Sequence, residues 1–470
     1  MILTAQARLR EQWLAGAGLG LYAAAVALVP GFAAKAILAA PLVAIPLFWY
    51  LLSSSTAWVL LFFLCALLTP PLPIALGDSG PHVALLVAAA GIFIGLLRFP
   101  EWRFRVDTLS VPMLALWVVF AASVGWAALY SGLAIAAGSL ARVLLFGISI
   151  YVFLYVRDGP GVLDSVRGFQ MIRVMFWAAA ASALFACVDF YFQLPAPAGY
   201  EPQFIWLESG VFRRAQGVFY EASTLGNFCA FFLEMIAVAL FRPKDDQPFS
   251  RTALVAGGAA FAAALILSFS RGSLVNFAVA LVVLLWLYRR KVRWGRLLAG
   301  IAVLSASAAA ILRTAFPVFA SLAWLRVSAA FQYLSESPNM VLSGRLQSWR
   351  TLVDFLLANP WHALLGVGYK TLPYSDFIGT RAIGDNTYLT LLAETGILGL
   401  VGLLALNAAI LVAAYRGARS SDTVQSFCGA WMLCFWAGQT VQMLSADLLT
   451  YWRILPVYFF VLAMAARQEA

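Results

Sequence analysis

Residues 384–413 read GDNTYLTLLAETGILGLVGLLALNAAILVA, a polar head followed by an apolar run longer than the roughly 20 residues that a helix needs to cross a bilayer. Asp385, Asn386 and Glu394 stand at or near its start. A carboxylate inside a span is costly unless it meets a partner or a polar cavity. The stretch therefore points to a membrane fold and, within it, to a place where polar chemistry is kept.

Working outward, the composition agrees. The chain has 470 residues, 63% hydrophobic and 11% charged, values that belong to polytopic membrane proteins. Apolar runs near 14–34, 36–54, 56–75, 83–98, 108–129, 133–155, 170–192, 218–241, 252–269, 272–288, 297–316, 386–413, 426–444 and 448–466 predict an all-α fold with about 12–14 transmembrane helices. The run after Arg8 and Arg10 continues for about a full span, so a retained first helix is expected in place of a cleaved leader. Cys65, Cys187, Cys229, Cys428 and Cys434 lie in apolar runs without C-x-x-C spacing, and read as small hydrophobes with no disulfide or metal role.

A net charge of +10 raises the question of nucleic acid, but the basic residues sort by loop instead. With the N-terminus in the cytoplasm, the loops at 98–105, 157–173, 242–251, 289–296 and 416–419, together with Arg8, Arg10 and Arg467, hold 19 of the 31 Lys and Arg, as the positive-inside rule requires. The opposite side then carries Arg213, Arg214, Arg271, Arg313, Arg326, Arg345, Arg350, Lys370 and Arg381, mostly in a smaller loop at 193–217 and a large one at 317–385. Long loops translocate regardless of charge, but basic residues set against the rule on one face also suit an anionic ligand. The expected organisation is one transmembrane domain over 1–470 with these two outer loops. In the large loop, SGRLQSWRTLVDFLLANP (343–360) has helical spacing, a Ser343 suited to N-capping and an Asn359-Pro360 stop. GVGYKTLPYSDFIG (366–379) reads as a loop folded over a site.

On this topology Asp385 and Asn386 stand at the helix mouth, and Glu394 lies about 12–13 Å deeper, where it needs a partner such as Arg142. Asp385 either caps the first turn or does chemistry. Asn386, Thr390 and Glu394 form a polar stripe at i, i+4 and i+8, and Gly396, Gly399 and Gly402 behind it suit close helix packing. FRRAQGVFYEASTLGN (212–227) sets Arg213 and Arg214 before a helix that enters from the same side, and SFSRGSLVN (268–276) puts Arg271 in a turn there. A guanidinium stays charged and forks onto phosphate oxygens, so these arginines suit a lipid-linked phosphate or diphosphate. Snorkelling to headgroups accounts for one of them more easily than for three.

The segment D-N-x9-G-x-x-G (Asp385–Gly399) resembles the H-[NSQ]-x9-G-x-x-G signature of the O-antigen ligase and O-antigen polymerase superfamily, which stands at the start of the helix after the large periplasmic loop. The flanks agree: R-A-x-G-x-F with a following L-G at Arg214–Gly226, S-R-G at Ser270–Gly272, G-R-x-x-x-W at Gly344–Trp349 and N-P-x-x-x-L-x-G-x-G at Asn359–Gly368. The likeness covers roughly residues 200–410. It implies a GT-C-like, inverting glycosyltransferase of the bacterial inner membrane, needing no metal or cofactor, that takes a glycan from undecaprenyl diphosphate at the periplasmic face.

In that scheme Arg214 and Arg271 stabilise the departing diphosphate. Asp385 stands where the ligases carry histidine and takes the acceptor's proton, while Arg213, Glu221, Arg345, Tyr369, Asn386, Tyr388 and Glu394 bind substrate. His82 and His362 are the other candidates for the missing histidine. Its absence tilts the expectation toward a polymerase of O-antigen or exopolysaccharide repeat units, whose acceptor is a second lipid-linked unit. The alternative is a ligase of lipopolysaccharide synthesis, whose acceptor is the lipid A core. A non-catalytic transporter of the same lipid-linked sugar, a reading of another class, calls for paired halves with broken helices near the midplane, whereas the polar groups here gather at one face. Lipid-linked glycans and membrane lipids are the expected partners, and nucleic acid is not.

Overall fold

A computed structural model describes residues 17–72 apart from 19, 27 and 55, then 81–195, 203–207, 210–243, 246–290, 344–382 and 384–467, with scattered positions between 295 and 328. The predicted span at 297–316, apart from scattered positions, Ser343 and most of 317–343 lie outside the described residues. The chain divides into two units, 1–58 and 59–470. The first contains α1 (Phe32–Ser53), with Pro41 and Pro46 inside the helix.

The second opens with α2 (Ala57–Leu68), α3 (Val83–Leu97), α4 (Ser110–Ser131), α5 (Leu133–Arg157) and α6 (Ser165–Phe192). A hairpin of β1 (Phe204–Leu207) and β2 (Gly210–Arg213) precedes α7 (Ala222–Leu240), α8 (Arg251–Leu267) and α9 (Arg271–Leu287). Then come α10 (Arg345–Ala358), α11 (Pro360–Leu365), α12 (Thr387–Ala418), α13 (Thr423–Gln442) and α14 (Leu455–Ala465). Among the described residues α4, α5, α6, α7 and α12 are long and apolar enough to cross a membrane, and the protein is an integral membrane protein of the all-α class. The hairpin, with Phe204 opposite Arg213, was not expected in the 193–217 loop.

The core gathers around α13, which packs against α7, α9, α12 and α14. Every residue of α14 is buried, as an apolar surface on all sides allows. The five cysteines are free. One polar knot crosses this core. Asn227 of α7 donates from Nδ2 to the side-chain oxygens of Gln439 and Gln442 at 2.7 and 2.8 Å, and Asn276 of α9 does the same at 2.9 Å each. The Tyr458 hydroxyl donates to Asn227 Oδ1 at 2.7 Å. Amides buried among apolar helices must find one another, so the knot sets the register of α7, α9 and α13. Asn276→Leu, which removes two donors from the glutamines, is expected to lower stability by about 1–3 kcal/mol, read as a lower thermal midpoint of the detergent-solubilised protein.

Helix α12 breaks at Gly396, whose φ of 70° and ψ of −168° are open to glycine and strained for other residues. The break frees the carbonyls of Ala393 and Glu394, which accept the N–H groups of Val367 at 3.1 Å and Gly368 at 2.8 Å. A Cβ on Gly396 would lie 2.1 Å from the Leu364 carbonyl oxygen, and one on Gly366 2.3 Å from that of Glu394. Gly396 is thus a hinge in the backbone, where the sequence pattern called only for close packing. Gly402 does approach α4, at Leu116. Residues 366–372 do not drape over a site: they are buried in the bundle, with Tyr369 stacked on Phe120 of α4 at 4.1 Å.

Other boundaries shift for local reasons. The 56–75 run yields only α2, because Pro70 and Pro71 cannot continue a helix. The 448–466 run becomes a single turn at Leu448–Thr450 followed by α14 from Leu455. Helix α10 starts after Gly344, in the left-handed region, and Pro360 opens α11 directly after Asn359.

Candidate active site

Neighbouring residues of an extended strand point to opposite faces, and the end of β2 uses this to separate two arginines. Arg213 is buried and pairs with Asp189 of α6, while its other terminal nitrogen donates to the Leu194 carbonyl. Asp189 also accepts the Gly217 N–H at 3.2 Å. Arg213 therefore staples the hairpin to the end of α6, with both terminal nitrogens engaged. Arg214 turns the other way: its backbone N–H donates to the Gln203 carbonyl and its Nε to the Ser268 carbonyl, both at 2.8 Å. Ser268 lies in the α8–α9 turn that leads into Arg271.

Arg345, at the start of α10, donates from Nε to Asp385 Oδ2 at 2.9 Å. Glu221 precedes α7 without capping it, and its Oε2 accepts the Thr224 hydroxyl at 2.6 Å. These groups feel one another. Burial lowers the Arg214 pKa, Tyr451 and Glu221 oppose that shift, and the charges of Arg345 and Arg271 add to it. Burial raises the Glu221 carboxyl, with Thr224 and Arg214 pulling it down and Asp385 pushing it further up. Tyr451, between α13 and α14, is driven well above the usual phenol range by burial first, then by Glu221 and Asp385, against a hydrogen bond with Ser223 and the charge of Arg345. The site thus brings together Arg214, Arg271, Arg345, Glu221, Asp385 and Tyr451 from six separate segments.

The remaining expected residues frame this cluster. Asn386 is the N-cap of α12, accepting the Tyr388 and Leu389 N–H groups at 3.1 Å each, so capping does not fall to Asp385. Asn386→Ala is expected to cost about 1 kcal/mol of stability, whereas Asp385→Asn leaves the cap intact; thermal unfolding of the two variants checks this. Tyr388 donates to the Thr440 carbonyl at 2.8 Å and ties α12 to α13. Tyr369 is buried against α4.

Glu394 is fully buried, accepts the Leu372 N–H at 3.4 Å, and has both Lys370 and the expected Arg142 within electrostatic reach. Lys370 in turn donates to Asp447. The histidines serve elsewhere. His82 caps α3 through Nδ1, at 3.1 Å from the Ala84 nitrogen, and burial together with the Arg453 charge holds it at about 4, hence neutral at pH 7. His362 sits in an aromatic box of Tyr130, Phe355 and Phe377, with ring centroids 5.1, 5.4 and 5.4 Å away.

Residues 256–404 match the family model described as O-antigen ligase. Over this third of the chain the sequence is similar to the O-antigen ligase and polymerase superfamily. No curated protein matches the chain. The O-antigen ligase region contains Arg271, Arg345 and Asp385, while Arg214 and Glu221 precede it and Tyr451 follows it. The match supports a membrane glycosyltransferase of the O-antigen ligase and polymerase type, and lipid-linked glycans are the substrates which that family implies.

Proposed function

We propose that the protein is an inverting, metal-independent glycosyltransferase of the bacterial inner membrane, working at the periplasmic face on undecaprenyl-diphosphate-linked glycans as a polymerase of O-antigen or exopolysaccharide repeat units. The observation that carries this reading is the gathering of Arg214, Arg271 and Arg345, from three separate segments, around two carboxylates. Three like charges placed together repel one another unless an anion comes between them, and a diphosphate has the charge and the oxygens for guanidinium forks.

During transfer the bond from the anomeric carbon to the diphosphate breaks, and the charge that develops on the leaving oxygen falls to Arg214 and Arg271. Inversion calls for a proton acceptor on the far side of the sugar, and Asp385 and Glu221 supply carboxylates there. The aspartate in the place of the ligase histidine favours a polymerase. A ligase, with the lipid A core as acceptor, is the second reading, favoured by the description of the matched family.

The test uses purified protein with an undecaprenyl-diphosphate-linked repeat unit as sole substrate. A ladder of longer lipid-linked glycans is the expected product. A donor left untouched until lipid A core is added makes the protein a ligase and removes the polymerase reading.

A further inference from the structure

We propose that Glu221, and not Asp385, takes the proton from the acceptor hydroxyl, and that Asp385 acts as a positioning residue for Arg345. The proposal rests on the glycosyltransferase reading above and deepens it. A base needs an oxygen that is both held and open. Asp385 has one oxygen engaged in an ion pair with Arg345 Nε at 2.9 Å, whereas no guanidinium contacts the Glu221 carboxylate among the described residues. The same bond orients Arg345, so Asp385 acts on the substrate through that guanidinium.

Glu221 is differently placed. Its Oε2 is fixed by the Thr224 hydroxyl at 2.6 Å, while Oε1 takes no hydrogen bond from the described residues. The α7 N-terminus makes no claim on it either, because the Ala222 N–H is taken by Gln203 Oε1 at 3.0 Å. The backbone beneath is set by the Leu225 N–H donating to the Glu221 carbonyl at 3.1 Å. Glu221 is half-buried, so its free oxygen is accessible from the site. The groups facing it are Arg214 from the end of the hairpin, Asp385 from the head of α12 and Tyr451 from the α13–α14 connection. Arg271 and Arg345 act in turn on Arg214. Burial and the Asp385 charge raise its proton affinity above that of an ordinary glutamate, toward the range in which a general base works best.

The step then balances. The acceptor oxygen forms a bond to the anomeric carbon, its proton passes to Glu221 Oε1, and the bond from that carbon to the diphosphate breaks with its electron pair leaving on the lipid diphosphate. Glu221 afterwards releases the proton to water.

The test compares wild type, Glu221→Gln, Glu221→Asp and Asp385→Asn, purified in detergent, in two assays: binding of undecaprenyl diphosphate, and transfer from an undecaprenyl-diphosphate-linked repeat unit with either acceptor across pH. Glu221→Gln is expected to keep binding within about threefold and to lose at least about 100-fold in transfer. Glu221→Asp is expected to retain part of the rate with its acid limb moved to lower pH, and Asp385→Asn to keep the wild-type acid limb. Transfer by Glu221→Gln within about tenfold of wild type overturns the proposal, as does an acid limb that Asp385→Asn abolishes and Glu221→Asp leaves in place. If Glu221→Gln fails to fold, the pH profile of Glu221→Asp decides alone. A wild type that transfers to neither acceptor overturns the glycosyltransferase reading itself, and this inference with it.

Discussion

Replacing Arg214 by alanine is expected to slow glycan transfer by at least about 100-fold while leaving the protein folded in the membrane. The reason lies in how the side chain is held. Its Nε is spent on the Ser268 carbonyl, which fixes the plane of the guanidinium, and its two terminal nitrogens donate no hydrogen bond to the described residues. Alanine therefore removes a fork aimed at the site and leaves little buried polarity stranded. Arg271→Ala should behave alike, since the residue begins α9 and its side chain is exposed. Arg214→Lys keeps the charge but loses the planar fork, and an intermediate rate is expected. Transfer from the lipid-linked repeat unit, normalised to the amount of folded protein in membranes, gives the measurement. Normal product from both alanine variants would remove the diphosphate clamp.

Lys370→Met is expected to be the most destabilising single change, at about 3–5 kcal/mol, because it leaves carboxylates buried without their cation. The ammonium donates to Asp447 and lies close to Glu394, and the second oxygen of each acid takes no hydrogen bond from the described residues. Arg142 also bears on Glu394, but its guanidinium is stacked over Tyr374 at 4.3 Å. Adding Asp447→Asn to Lys370→Met should recover part of the loss, which is the sign of a true pair in a double-mutant cycle. Thermal unfolding in detergent reports both. Equal stability of the single variant and wild type would show that the pair contributes nothing.

The membrane class was legible in the sequence, because long apolar runs survive any detail of packing. Which arginine faces the site was not. Arg213 and Arg214 are adjacent and chemically identical, and only the hairpin, hidden in a loop without a strong strand pattern, sends them to opposite sides. Tyr451 was missed because the 448–466 run was read as one helix. The signal was present in Arg453, a charge in the middle of that span, which in the structure reaches the carbonyls of Ala66 and Thr69. Gly396 belonged to a recognisable pattern, yet spacing alone does not distinguish a small residue that admits a neighbour from one that bends the chain. Capping was one of the two expectations for Asp385, and the neighbouring Asn386 side chain accepts those N–H groups instead.

The broken α12 also divides the loop before it into two kinds of territory. Within the buried stretch 366–372, Val367 and Gly368 are bound by their N–H groups to the open carbonyls of the helix, so adding or removing one residue there would shift both donors off their acceptors. A few residues later, Gly379, Thr380 and Arg381 are exposed, and a Cβ built on Gly379 meets nothing within 4 Å. Length at that tip is free to vary while the frame stays fixed. A peptide tag spliced between Gly379 and Thr380 is expected to be tolerated, and the same tag after Val367 to abolish accumulation of the protein. Diversification of this loop among related chains is then expected to concentrate at the tip, where new contacts to a sugar can arise without disturbing the helix that carries Asp385.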